Sequence, residues 1–367
     1  MAFNKLRAFL QHKKIKDELI DYYLRGSHFR IPPKHLLFIT TKRCNSHCIM
    51  CNIWRNKDLS EELSKEEFTQ IIENRLFRNL RTITFSGGEP TLRPDLEELV
   101  SVSLRSLPEL EYVGLASNGL APNLLLRKVA KILELLQEAP EVELVVQLSL
   151  DSVDETHDKV RGVLGAFDSA KRAIDGLSKL REKDPSVILT LSCVISPANI
   201  DGLENLYEFS KQNRWGIIFS PAIISDYYYK NTGSEVGLSE GDKKKAIKLL
   251  NRVIAERKNI NSFYYQKVVI PILKGGTRSR KCMMGVDAIV LEADGSIPFC
   301  INAESFSGGN MKQEKPEEIW YKGVKEILAN KEVKRYCSKC AAACGLGGYT
   351  ISEAVQLYKE MDGTIPL

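Results

Sequence analysis

Between residue 36 and about residue 240, the sequence alternates six times between a short apolar run and an amphipathic stretch of helical period. The apolar runs are expected as strands over 36–41, 81–85, 112–116, 144–150, 187–195 and 216–219. Helices are expected from Ser64 to about Leu76 and over 94–104, 124–136, 167–180 and 203–211. Ser64 with Glu67 three residues later has the form of a capping box. Strands that are apolar throughout, each followed by an amphipathic helix, predict a parallel sheet covered by helices. The fold class is α/β. In such folds ligands bind at the carboxyl ends of the strands. The residues just after each strand therefore matter most.

After the first strand come Cys44, Cys48 and Cys51, spaced C-x3-C-x2-C. Thiolates are soft ligands, and three within eight residues suit either an iron–sulfur cluster or zinc. A structural zinc usually takes four protein ligands, whereas a four-iron cube held by three thiolates keeps one iron open. After the second strand comes Ser86-Gly87-Gly88-Glu89-Pro90. Its glycines let backbone approach a ligand closely, and Glu89 can accept a hydrogen bond from an ammonium group; a plain strand-to-helix turn is the other reading. Ser117-Asn118-Gly119 follows the third strand and reads equally as a simple turn. Ser149 and Asp151 end the fourth, ahead of His157-Asp158 and Arg161-Gly162. Asp151 or Ser152 also suits a helix N-cap. Cys193 reads as a free buried thiol, and Asn199 stands just past the fifth strand. After the sixth come Asp226, Tyr227, Tyr228 and Tyr229, either a pocket lining or an exposed loop; Asp226 and Tyr228 are the candidate catalytic residues.

Nine cysteines are more than packing needs, and they cluster. In the C-terminal part, Cys282 is followed by twelve residues, Gly295, four residues and Cys300, then Cys337-x2-Cys340-x3-Cys344. Asp294-Gly295 lies between apolar runs at 288–291 and 297–299, a hairpin signal that would bring Cys282 and Cys300 together. A helix is expected over 316–330. A hairpin cysteine followed by C-x2-C is also zinc-ribbon chemistry.

Taken together, the cysteine loop, the Gly-Gly-Glu-Pro turn and the strand-end residues resemble the radical S-adenosylmethionine (SAM) superfamily. The C-terminal cysteines resemble the auxiliary-cluster domain of its SPASM and twitch subgroup. The second half departs from the full SPASM pattern: five cysteines stand where seven are usual, and the middle spacing is shorter. The resemblance implies a partial (β/α)6 TIM-like barrel with a small C-terminal β-hairpin and helix domain. It implies a SAM-binding [4Fe–4S] cluster on Cys44, Cys48 and Cys51, and SAM contacts from Gly87, Gly88, Glu89, Pro90, Asn118, Ser149, Asp151 and Arg161. It further implies one auxiliary [4Fe–4S] cluster on Cys282, Cys300, Cys337 and Cys340, with Cys344 spare or replacing one of them. The implied activity is reductive cleavage of SAM to a 5′-deoxyadenosyl radical that abstracts hydrogen from a substrate.

Peptide or protein modification is the favoured outcome, ahead of a small-molecule dehydrogenase or a cofactor or natural-product enzyme. A non-catalytic iron–sulfur electron carrier would have no need of the Gly-Gly-Glu-Pro turn or Arg161. Flavodoxin or ferredoxin is the kind of electron donor implied. A net charge of +5 over 367 residues offers no concentrated basic stripe, so no nucleic-acid partner is expected. No window is long and apolar enough for a membrane span, and the N-terminus lacks a signal-type apolar core. A cytoplasmic monomer is expected. The expected divisions are a helical extension (1–35) with an amphipathic helix over 3–24, the barrel (36–240), a helical linker (241–275) and the auxiliary-cluster domain with tail (276–367).

Overall fold

The computed structural model describes residues 32–56, 61–225, 228–257, 260–280, 282–300, 302–323 and 331–342. The helix expected over 3–24, Asp226, Tyr227 and Cys344 lie outside the described residues.

Six strands follow one another as expected: β1 (His35–Thr41), β2 (Thr82–Gly87), β3 (Tyr112–Ser117), β4 (Glu143–Ser149), β5 (Val187–Ile195) and β6 (Gly216–Pro221). A seventh, β7 (Ala288–Leu291), pairs in parallel with β1, so the sheet order is β6-β5-β4-β3-β2-β1-β7. The sheet is wholly parallel and does not close. The run at 288–291 was expected to pair with 297–299. Its ladder partner is β1 instead, because its four buried apolar residues extend the parallel core. The Asp294-Gly295 turn does form, with Glu292 N–H donating to the Ser296 carbonyl at 2.9 Å. The hairpin is made one strand later, by β8 (Ser296–Cys300) and β9 (Ala303–Asn310).

The strands are not apolar throughout. In β2, Ile83 and Phe85 are fully buried while Thr82, Thr84 and Ser86 are half-buried. In β4, Leu144, Val146 and Leu148 alternate in the same way with Gln147 and Ser149. The apolar set meets the helices, and the other set faces the barrel interior. That alternation separates a barrel with a usable interior from a flat sheet covered on both faces.

The helices follow from local signals. In α1 (Lys65–Ile72), Ser64 Oγ accepts from Glu67 N–H at 3.1 Å and the Glu67 carboxylate accepts from Ser64 N–H at 2.8 Å. Its buried face is Phe68, Ile71 and Ile72, and Phe68 stacks on Phe38 of β1 at 4.8 Å. Burying a side chain of that size stabilises by about 1.5–3 kcal/mol. α2 (Leu96–Ser106), α3 (Pro122–Leu136), α5 (Ala166–Lys183) and α6 (Leu203–Gln212) complete the outer layer. A short helix that the periodicity does not announce, α4 (Thr156–Arg161), precedes α5. Then α7 (Glu240–Glu256) runs through the expected linker. Among the described residues no helix is long and apolar enough to cross a membrane.

Candidate functional site

Beneath the carboxyl ends of the strands lies a cavity of about 560 Å³. Its wall includes Cys44, Cys48, Cys51, Gly87, Gly88, Asn118, Ser149, Arg161 and Tyr228. All eight described cysteines are free thiols.

The cysteine loop is laid down by β2. Past β1, the N–H of Gly88 donates to the Thr41 carbonyl at 2.8 Å, and that of Glu89 to Arg43 at 2.7 Å. The loop backbone therefore lies against both glycines. A Cβ on Gly87 would stand 2.3 Å from the Thr41 oxygen, and one on Gly88 2.0 Å from the Arg43 oxygen. Gly87 also has φ +130°. The glycines admit the protein's own loop before any ligand is considered. On the other side, His47 and Ile49 N–H donate to the carbonyls of Arg161 and Val160. Gly162, at φ +63°, closes α4, and a Cβ there would meet the His47 oxygen at 2.5 Å.

The loop has a third flank that the sequence does not announce. Asn52 N–H donates to the Tyr229 carbonyl at 2.8 Å, and Asn52 Nδ2 to Lys230 at 2.7 Å. Asn231, fully buried, donates to the Met50 carbonyl at 2.8 Å and the Ile223 carbonyl at 2.7 Å. Its Oδ1 accepts from Ser225 N–H. The segment after β6 is thus strapped to the cysteine loop. An Asn in a polar turn gives no sign in sequence of a contact 181 residues away.

Burial pushes the Cys44 thiol up to about 11 and the Cys51 thiol up to about 12, with neighbouring sulfurs adding to it. Cys48 faces two polar groups: Ser46 Oγ at 3.0 Å and Arg161 Nη1 at 3.6 Å. Asn118 Nδ2 reaches Asn45 Oδ1 at 2.8 Å and Cys44 Sγ at 3.8 Å.

The acidic candidates are buried more deeply than a ligand contact requires. Glu89 accepts from Thr91 N–H, Thr91 Oγ1, Ser117 Oγ and Asn118 N–H, the last at 2.7 Å. Burial pushes its carboxyl up against the downward pull of these donors. Glu89 ties the second strand end to the third, and so sets Asn118. Asp151 is fully buried and pairs with Arg161 Nη2 at 2.7 Å, while its Oδ1 accepts from Val194 N–H. Burial works against the Arg161 charge, but Asp151 and the Cys48 sulfur hold it protonated. His157 Nδ1 accepts from Asp151 N–H at 3.1 Å, and burial, then Arg161, pushes this imidazole down to about 3. Asn199 donates to the carbonyls of Asp151 and Val194, and its oxygen accepts from Ser196. It braces the fourth and fifth strand ends. Cys193 is buried, as expected. Pro90 opens a single 3-10 turn and is buried.

Tyr228 is 9% exposed, and its hydroxyl donates to the Gly87 carbonyl at 2.9 Å. Beside it, Glu292 is buried at the end of β7, 3.5 Å from Lys42 Nζ. Burial pushes the Glu292 carboxyl up. Sequence patterning gave no sign of this acid.

The C-terminal thiols also gather. Burial pushes Cys337 up to about 12, and Cys282, Cys300 and Cys340 each add to that shift. The Cys300 sulfur accepts from Asn302 N–H and the Cys340 sulfur from Ala342 N–H, both at 3.4 Å. Arg278 N–H donates to the Ser338 carbonyl at 2.9 Å, and its charge pulls the Cys282, Cys337 and Cys340 thiols down. One apolar cluster, including Tyr228, Met283 and Met284, touches Cys44 and Cys51 as well as Cys282 and Cys337. Among the described residues no three His, Cys, Asp or Glu side chains are grouped so as to hold a single metal ion.

A family model described as the Radical SAM superfamily matches residues 38–210. Fe-coproporphyrin III synthase of Methanosarcina barkeri is 34% identical over 176 residues, which is 47% of this chain and 40% of that protein. The sporulation killing factor maturation protein SkfB of Bacillus subtilis is 32% identical over 168 residues, 46% of this chain and 37% of that one. The chain thus spans well under two thirds of these curated relatives. Among solved structures, polyhistidine-tagged anSMEcpe with bound AdoMet has the same fold, with a TM-score of 0.59 at 21% identity, covering 90% of this chain and 95% of that one. Residues 38–210, whose first strand delivers three cysteines to the carboxyl-end mouth of a parallel sheet, match the radical SAM superfamily.

Proposed function

We propose that this chain is a radical SAM enzyme acting on a peptide or protein. One observation carries the reading. Three thiols of a single loop line the same 560 Å³ cavity as Gly87, Gly88, Asn118, Ser149 and Arg161. The donor set fits the cofactor that the family implies: three soft, unpaired sulfurs on one loop, at the mouth of a cavity with room for a ligand. When bound there, a [4Fe–4S] cluster supplies the electron that cleaves SAM to methionine and a 5′-deoxyadenosyl radical, which takes a hydrogen atom from substrate.

The rest of the work falls to the chain. Cys44 and Cys51, protonated by burial when metal-free, give up their protons on ligation. Arg161 presents positive charge beside Cys48, and Asn118 holds a donor toward Cys44. Ser149 offers a hydroxyl to the SAM sugar, and Gly87 and Gly88 keep the β2 turn narrow enough for SAM to lie against it. Glu89, Pro90 and Asp151 act through their neighbours, setting Asn118, the β2 turn and Arg161. Tyr228 walls the cavity.

Cys282, Cys300, Cys337 and Cys340 are proposed to hold a second [4Fe–4S] cluster, with Cys344 as a further candidate. Their four thiols come from three separate segments and lie close enough for Cys282, Cys300 and Cys340 each to act on Cys337. Within this reading the chain divides at 1–35, 36–240, 241–275 and 276–367, takes electrons from a flavodoxin or ferredoxin, and works as a cytoplasmic monomer. The maturation role in SkfB's name supports the peptide reading.

Anaerobic reconstitution with iron and sulfide, followed by SAM and dithionite, tests the class. 5′-Deoxyadenosine is expected from the wild type and none from Cys48→Ala. A cluster-replete wild type that forms none, with or without candidate peptide, would overturn the reading.

A further inference from the structure

Below the cysteine loop, the cavity wall is made by alternate residues of the strands. Thr82, Thr84 and Ser86 come from β2 and Gln147 from β4. The registers Thr84↔Gly114, Gly114↔Val145 and Ala116↔Gln147 set them in adjoining layers. Gly114 and Ala116 leave the space. A Cβ on Gly114 would stand 2.8 Å from Thr84 Oγ1. Among the described residues none of these four polar side chains has a hydrogen-bond partner in the protein. Four donors and acceptors aimed into one cavity with nothing to bond are a cost of folding unless a ligand or water meets them.

The wall also limits what can enter. Among the described residues no Asp, Glu or Lys lines the cavity. Its guanidinium, Arg161, is already opposed by Asp151 at 2.7 Å, and its imidazole, His35, lies 4.0 Å from the buried Asp287. A carboxylate or ammonium group drawn into the interior would lose its hydration and gain no free countercharge. An amide or hydroxyl would lose less and would find both donors and acceptors.

The geometry points to an uncharged, hydrogen-bonding part of the substrate, an amide or hydroxyl side chain or a peptide amide, seated on Thr82, Thr84, Ser86 and Gln147. This rests on the reading of the cavity as the radical SAM site and names the substrate chemistry it selects. Gln147 is the specific contact, because its amide both donates and accepts.

Saturation-transfer NMR on the oxidised, reconstituted protein with SAM and no reductant reads binding without turnover. The probes are N-acetylasparagine amide and N-acetylaspartate amide. The asparagine probe is expected to bind and the aspartate probe not. Gln147→Leu and Thr84→Val should each weaken the asparagine probe roughly five- to tenfold, the loss of about one hydrogen bond. Ser86→Ala, which removes one oxygen, carries the test if Gln147→Leu does not fold. Equal binding of both probes, no binding of either, or variants that weaken SAM and leave the asparagine probe unchanged would each overturn the inference. The same preparation assayed for 5′-deoxyadenosine separates this failure from failure of the class.

Discussion

Arg161 shows how one side chain is fixed from three directions. Asp151 lies 2.7 Å away, Cys48 Sγ 3.6 Å away, and its backbone carbonyl accepts from His47 N–H at 2.9 Å. His157 beneath them must stay neutral, since its Nδ1 already accepts from Asp151 N–H. Its pKa falls from 6.5 to about 3 on folding, so the unfolded chain binds more protons in that window. The stability this provides is fully present above pH 6.5 and is lost as pH falls toward 3. At about 1.4 kcal/mol per pH unit, the loss between pH 6.5 and 5 is roughly 2 kcal/mol. Urea unfolding of wild type and His157→Gln at pH 7 and pH 5 measures it. The variant should lose about 2 kcal/mol less than wild type, and equal slopes would remove His157 from the account. His157 and Arg161 stand out in the sequence beside the fourth strand; that Asp151 turns inward to them does not. Asp151, expected as a SAM contact, is fully buried.

Among the elements, the segment after β6 matters most to the cysteine loop. Asn231 joins Met50, Ile223 and Ser225 through its side chain. Asn231→Ala would leave three backbone groups without partners, each worth about 1–3 kcal/mol when buried. The expected result is faster amide exchange over 48–52 and 223–231 and lower iron retention, with the helices over the sheet unchanged. Hydrogen exchange followed peptide by peptide checks this; protection lost uniformly across the sheet would mean a global role instead. The other elements were more legible. The capping box at Ser64 forms as its residues suggest. Apolar content marks the strands but not the polar residues that alternate along them. Thr82-Ile83-Thr84-Phe85-Ser86 alternates plainly, and the period of two carries the information that one face lines a cavity.

Over the whole molecule, two groups of thiols approach one apolar cluster from different parts of the chain. If both hold cubes, the reconstituted protein carries about eight iron atoms per chain. Replacing Cys282, Cys300, Cys337 and Cys340 with Ser should halve that number and leave 5′-deoxyadenosine formation measurable. Iron analysis with sulfide titration decides it. Zinc bound at those four positions, or an unchanged iron count, would remove the second cluster. What the sequence determined by itself is local: six strand–helix units, the turns at their ends, the cysteine spacing and the capping box, all set by residues within a few positions of one another. Only the tertiary structure decided that β7 joins β1, that Arg161 meets Cys48 across 113 residues, and that Gly88 yields to the Arg43 carbonyl. Such contacts depend on which surfaces are buried together when the sheet packs. Burial turns Glu89 and Asp151 from exposed acids into internal braces, because a charge taken out of water must find its partners inside the protein.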